Sequence, residues 1–256
     1  MKKKGIEYIY VIFLFFLYFV ACSADSSKSG TMSPNSPDGT QVESAKSVEE
    51  ISLVDERDGQ VYRTVKIGEQ IWMAENLNYA LEGSCEFDAA TSLHCEFQNR
   101  KCGRLYSWFD AQNICPTGWH LPSIEEYQML FRMINLQSQS GNLVGRFLKS
   151  AKEWNEGGNG NDSLGFSALP LGGCVSYSHD GCQPKSYSNY GTEAYFWSSD
   201  GGATTLHMWR GDEYEDVVEN YFSNVALYYN NDDALFETRN DIEYMPLYYS
   251  VRCIRN

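Results

Sequence analysis

Over residues 124–136 the apolar positions Ile124, Tyr127, Leu130, Phe131 and Ile134 recur every three to four residues, which predicts a helix with one buried face. Its start is written into the chain. Pro122 restricts the residue before it to an extended conformation, and Ser123 with Glu126 three residues later forms a capping-box pattern. Upstream, Leu105, Trp108, Phe109, Ala111 and Ile114 show a similar period and predict a helix over 105–114, with Cys115-Pro116-Thr117-Gly118 as the turn between the two. A third, short helix is expected over 143–149. Elsewhere the apolar residues alternate or form short runs. Val61, Val65 and Ile67 share one face of a strand, Gly68-Glu69 offers a two-residue hairpin turn, and 70–73 returns as its partner. Further strands are predicted over 166–169, 195–199, 205–209, 225–229 and 248–254, with a turn at Asn230-Asn231-Asp232-Asp233. Helices grouped early and short, mostly antiparallel strands make an α+β pattern, not a βαβ wind.

The first fifty residues do not share this patterning. Lys2, Lys3 and Lys4 precede an uninterrupted apolar run of twelve residues over 9–20, too short to span a bilayer comfortably and of the right length for a signal-peptide core. The run ends in Phe19-Val20-Ala21-Cys22-Ser23, which resembles a bacterial lipobox. Residues 1–21 are therefore expected to be a lipoprotein signal peptide and Cys22 the acylated mature N-terminus. Residues 22–50 are rich in Ser, Asp, Lys, Gly and Pro and bury too little to fold. As a disordered tether they have a reach of roughly 30 Å. The expected location is the outer membrane or cell surface, with the membrane engaged through lipid chains. Residues 51–256 remain as one domain.

Charge removes one class of partner. The 256-residue chain has a formal charge of −14, and loss of three lysines and one glutamate with the leader takes it to −16. Such a surface repels phosphates, so nucleic acid is not an expected partner.

Eight cysteines are present, and lipidation of Cys22 leaves seven, an odd number. Export makes disulfides the expected state. Cys174 and Cys182 flank a short loop, Cys85 and Cys95 bracket another, and Cys115 with Cys253 ties the turn before the main helix to the last strand. Cys102, flanked by Lys101 and Arg104, is left as the free thiol. No C-x-x-C pair occurs and the four histidines are scattered, so no metal site or cofactor is expected. His120, between large apolar residues, reads as a core or hydrogen-bonded histidine. The Gly/Asn loop over 153–162 offers side-chain oxygens without the spacing of a calcium loop and reads as a turn-rich connection. The irregular region over 174–193 carries Tyr177, Tyr187 and Tyr190. Aromatics on a loop held by a rigid frame suit sugar rings, and these three are the candidate ligand-binding residues; the alternative is that they cover the loop's own base.

Several segments carry a resemblance in chain order. They are Asp58-Gly59-Gln60-Val61-Tyr62, Trp72-Met73-Ala74-Glu75-Asn76-Leu77-Asn78-Tyr79, Gly103-Arg104-Leu105-Tyr106-Ser107-Trp108 and Cys115-Pro116-Thr117-Gly118-Trp119-His120-Leu121-Pro122-Ser123. Leu148-Lys149-Ser150, Gly165-Phe166-Ser167-Ala168-Leu169-Pro170, Phe196-Trp197-Ser198-Ser199 and Ser250-Val251-Arg252-Cys253 follow. Together they resemble the Fibrobacter succinogenes major paralogous domain over about 52–256. The family pattern agrees with pairing Cys85 to Cys95 and Cys115 to Cys253, and its frequent tyrosine at position 102 supports leaving Cys102 unpaired. That domain is similar in turn to C-type-lectin-like and sulfatase-modifying folds. The resemblance implies a disulfide-stapled, C-type-lectin-like fold with two or three helices, and does not by itself imply a function. Where lectin calcium sites carry a carboxylate, this chain has Gln183-Pro184-Lys185, and no Trp-Asn-Asp follows. The expected function is a non-catalytic surface binding module for polysaccharide or a surface partner. The alternatives are a structural surface protein acting by protein contacts and an enzyme of the sulfatase-modifying type, for which no nucleophile–base constellation is found.

Overall fold

A computed structural model describes residues 52–86, 102–138, 143–176, 182, 187–210, 213–240 and 247–256, with the backbone alone for 204–210 and 213–219. The expected leader, tether and lipidation site, together with Cys95 and Tyr177, lie outside the described residues.

The first strands form the hairpins that their turn residues demand. β1 (Ser52–Val54) pairs antiparallel with β2 (Val61–Ile67), and Asp55 fastens the turn by accepting from Arg57 Nη2 at 2.6 Å. Gly68, at φ +62°, turns the chain into β3 (Gln70–Met73), with Ile67 opposite Gln70. There follow β4 (Cys85–Glu86), β5 (Arg104–Ser107), a one-turn α1 (Trp108–Ala111), β6 (Trp119–His120), α2 (Ile124–Ser138) and α3 (Val144–Leu148). The second half is strand: β7 (Gly173–Val175), β8 (Tyr187–Ser188), the long pair β9 (Glu193–Arg210) and β10 (Glu213–Tyr228), then β11 (Ala234–Asn240), β12 (Leu247–Ser250) and β13 (Ile254–Arg255).

These strands make two sheets. One has the order β1-β2-β3-β13-β6; the other runs β11-β10-β9-β12-β5-β4, with β7 on β12 and β8 on β7. Pairing is antiparallel between these strands except where β12 meets β9 in parallel at Ser250 and Phe196. The fold is α+β, mostly sheet with few helices, and carries disulfides.

β9 lies between two apolar clusters. Ala194 and Phe196 face the cluster under α2, with Trp72, Tyr127, Leu130, Phe131, Ile134 and Phe166, whereas Tyr195 and Trp197 face the other, with Met73, Leu77, Tyr106, Tyr249 and Val251. The period-two alternation of a strand buried on both sides is thus explicit. The main helix follows its capping box: Ser123 Oγ accepts from Glu126 N at 3.2 Å, and Glu126 Oε2 accepts from Ser123 N at 2.8 Å.

The helix expected over 105–114 is replaced by β5 followed by the short α1. Leu105 and Tyr106 enter different clusters, which a strand allows, and β5 pairs with β12 through Leu105–Ser250 and Ser107–Tyr248. The helix begins only at Trp108, where the Ser107 side chain accepts from Asp110 N. Residues 166–169 make a single bridge, Lys149–Ala168, rather than a strand. The strand over 205–209 is part of β9, in the arm that β9 and β10 form together. Val61, expected on the buried face of β2, is 62 % exposed, and Tyr62 is buried in its place.

Arg252 is fully buried between the sheets. Nε donates to Asn76 Oδ1 at 2.8 Å, Nη2 to Ser167 O at 2.9 Å, and Nη1 to Phe166 O. The guanidinium lies 4.5 Å from the Phe166 ring centroid and 5.4 Å from that of Phe196. Burial pushes its pKa down to about 9, which still leaves it charged at neutral pH. Asn76 in turn donates to Cys102 O at 3.0 Å and Ser250 Oγ at 3.3 Å. Gly103 has φ +86°, and a Cβ there would come within 2.5 Å of Asn76 Cβ, so glycine is required where the chain passes this amide.

Cys115 and Cys253 are joined at 2.04 Å across a sequence separation of 138. Two outcomes follow. Arg252→Met leaves Asn76 Oδ1 and two carbonyls without donors and lowers unfolding stability by about 3 kcal/mol or more, read from urea denaturation; Arg252→Lys is also destabilising, because an ammonium cannot reproduce the planar fork. The double substitution Cys115→Ser, Cys253→Ser lowers stability by about 2–5 kcal/mol, and reductant then has less further effect on this measure than it has on the parent.

Candidate functional site

Tyr187 and Tyr190, the described tyrosines of the loop, do not present their rings as a platform. Tyr187, in β8, donates its hydroxyl to Glu86 O at 2.9 Å. Tyr187 and Tyr190 both pack against Cys85, Cys102, Leu105, Leu171, Cys174 and Tyr248, and burial raises the pKa of Tyr190. Both are half-buried and cover the base of their own loop, because β8 pairs with β7 and holds the rings over the sulfurs.

An exposed aromatic surface lies elsewhere. The face of α2 turned away from the capping box meets β11, and Phe131 stacks on Phe236 with centroids 4.9 Å apart and 27° between planes. Gln128, Arg132, Asn135 and Leu136 complete the lining of an open groove of about 390 Å³. Phe131 is anchored in the core and Phe236 is 40 % exposed, so the stack is rigid on one side and accessible on the other. Gln128, Arg132 and Asn135 are exposed, and no side-chain hydrogen bond or ion pair engages them among the described residues. The groove therefore offers an aromatic edge, an aliphatic wall, two carboxamides and a guanidinium on one helix face.

Other polar clusters are committed to structure. His120 Nε2 lies 2.8 Å from Glu126 Oε1 and Nδ1 lies 2.5 Å from Asn256 Oδ1. Ser123 Oγ donates to Oε2 of the same carboxylate at 3.0 Å, so the carboxylate stands between hydroxyl and imidazole, and the hydroxyl is at the same time held in the helix cap. In the loop over 153–162, Asn159 Oδ1 accepts from Trp154 N, Asn161 Oδ1 from Ser163 N, and Asp162 from Ser167 N, while Glu153, Glu156 and Asp162 take positive φ. Those oxygens serve turns. Lys149, buried with its pKa lowered by burial, donates to Tyr228 O and Asn231 O and pins the β10–β11 turn.

Two cysteine expectations are corrected. Cys85 is bonded to Cys182, not to its neighbour in sequence, because β4 pairs with β5 and so joins the sheet that also carries β7. Cys102 is disulfide-bonded and buried rather than a free thiol. The cation beside it points away: Arg104 reaches Ser84 Oγ at 2.8 Å and Glu86 at 3.0 Å. Cys174, the partner expected for Cys182, reaches the same sulfur, and because one sulfur holds one disulfide at a time the two linkages are alternatives.

The Fibrobacter succinogenes major domain model matches residues 65–255. The chain belongs to this family. No curated protein and no solved structure matches it. In this Fibrobacter major domain, five of the eight segments that carried the resemblance converge on Arg252: Asn76, Gly103, Phe166, Ser167, Phe196 and Ser250 all contact it or its amide partner. They define the frame. The α2–β11 groove draws on Gln128, Arg132, Asn135 and Phe236, which lie outside those segments. Sequence reading missed it because only the buried half of α2 was used to identify the helix and β11 went unrecognised.

Proposed function

We propose that this protein is a non-catalytic, lipid-anchored surface module of C-type-lectin-like kind that binds neutral polysaccharide in the groove between α2 and β11. The observation that carries the reading is the exposed Phe131–Phe236 stack flanked by Gln128, Arg132 and Asn135. A pyranose ring presents a C–H face to an aromatic and hydroxyls to amides and guanidinium, and this groove offers both kinds of surface. The formal charge of −14 disfavours anionic glycans. The lectin-like assignment is supported by the capped helix on the sheet and by the disulfide drawing the last strands to the turn ahead of that helix. Acylation at Cys22, followed by a polar tether, would hold the module at the outer membrane or cell surface.

A pull-down on insoluble cellulose and a glycan array, run with the full chain, test the ligand. Binding is expected to weaken about tenfold or more in Phe236→Ala, with Tyr187→Phe unchanged. Absence of binding to every polysaccharide would overturn the reading. For the anchor, Cys22→Ser is expected to move the protein from the membrane fraction to the soluble exported fraction and to remove the mass of the lipid chains; unchanged membrane association would count against it.

A further inference from the structure

The sulfurs of Cys85, Cys174 and Cys182 all lie within 4.8 Å of one another, and Cys182 is placed as the bonded partner of each of the other two. A cysteine sulfur forms one disulfide at a time. Three such sulfurs in contact therefore hold one disulfide and one thiol, with the thiol next to the bond it can attack. We infer that this trio is an internal thiol–disulfide exchange centre in which Cys182 alternates between Cys85 and Cys174.

The step balances without an external oxidant or reductant. The Cys174 thiolate attacks Cys182 Sγ, the Cys174–Cys182 bond forms, the Cys85–Cys182 bond breaks, and Cys85 leaves as a thiolate that takes up the proton Cys174 gave up. The Cys182 backbone N–H donates to Cys85 Sγ at 3.0 Å, a contact suited to a sulfur that takes on negative charge as it leaves. Cys85 and Cys174 are buried and Cys182 is only partly covered. Leu169, Tyr187 and Tyr190 pack over the group, which hinders thiols from solution while leaving the internal partner in reach. The two isomers differ in what Cys182 is tied to: β7, at a sequence separation of 8, or β4, at a separation of 97. One isomer closes a local loop and the other couples that loop to the opposite edge of the second sheet. The odd cysteine of the exported domain is then not one residue but a site shared by two.

The full chain, exported and purified without reductant, is quenched in acid, unfolded, alkylated with N-ethylmaleimide and mapped by mass spectrometry. The expected result is both linked peptides, Cys85–Cys182 and Cys174–Cys182, with label divided between Cys174 and Cys85 and none on Cys182. Alkylation of the native protein at about pH 8, near the ordinary thiol pKa, is then expected to shift the label onto whichever thiol reacts faster and to enrich the matching disulfide. A label ratio equal to that of the acid quench means a frozen mixture and overturns exchange. A single linkage, or three labelled cysteines with a bound soft metal ion, overturns the trio itself. Cys85→Ser and Cys174→Ser are each expected to fold, by circular dichroism, with the remaining disulfide fully formed. Failure of Cys182 to pair with the remaining cysteine in a folded variant also overturns the inference.

Discussion

A charged guanidinium sealed between two sheets is the constraint on which this fold turns. An ion in such a place is costly to desolvate, and the cost is offset only when each donor direction meets an acceptor. Asn76, Phe166 and Ser167 supply those acceptors from two distant stretches of chain, and the rings of Phe166 and Phe196 lie close to the guanidinium. Each of these segments must arrive before the charge is accommodated. The network therefore selects one arrangement of the sheets in a way that interchangeable apolar contacts do not, and it gives a physical reason for the short polar motifs scattered along the chain.

Around this centre the work is divided. The two apolar clusters on either side of β9 provide burial, the capping box fixes where α2 begins, and Lys149 fixes the β10–β11 turn by capping two carbonyls. The consequence for the groove is that both its walls are rigid. α2 is held from below by Tyr127, Leu130 and Ile134, and β11 is held by its register with β10, where Phe236 lies opposite Val225. A binding surface assembled on a helix and a paired strand loses little conformational freedom when occupied.

Much of the frame was legible in the residues because local rules operate there. Ser123 and Glu126 announced α2, Gly68-Glu69 announced the first hairpin, and the α+β class followed from the order of patterns. The rule failed at 105–107, where apolar spacing is compatible with helix and strand alike and the partner strand, β12, lies more than a hundred residues away in sequence. It failed again for Cys85, whose bond is set by sheet neighbours rather than by distance along the chain. Arg252 stood inside a recognised motif, yet a single arginine beside valine and cysteine gives no sign that it is buried. The tyrosines were visible as a composition bias, but whether such rings face water or sulfur depends on β7–β8 pairing, which short strands do not declare.

The placement of the last ten residues has a bearing on biogenesis. β12 lies between β9 and β5 in one sheet, β13 lies between β3 and β6 in the other, and only Val251, Arg252 and Cys253 separate them. The early hairpin β1-β2-β3 and the pair β4-β5 can form from nearby chain, but both sheets are incomplete until β12 and β13 join their neighbours. The joining of these pieces into complete sheets is therefore a late, long-range event in folding, set by two short strands that meet partners far away in sequence.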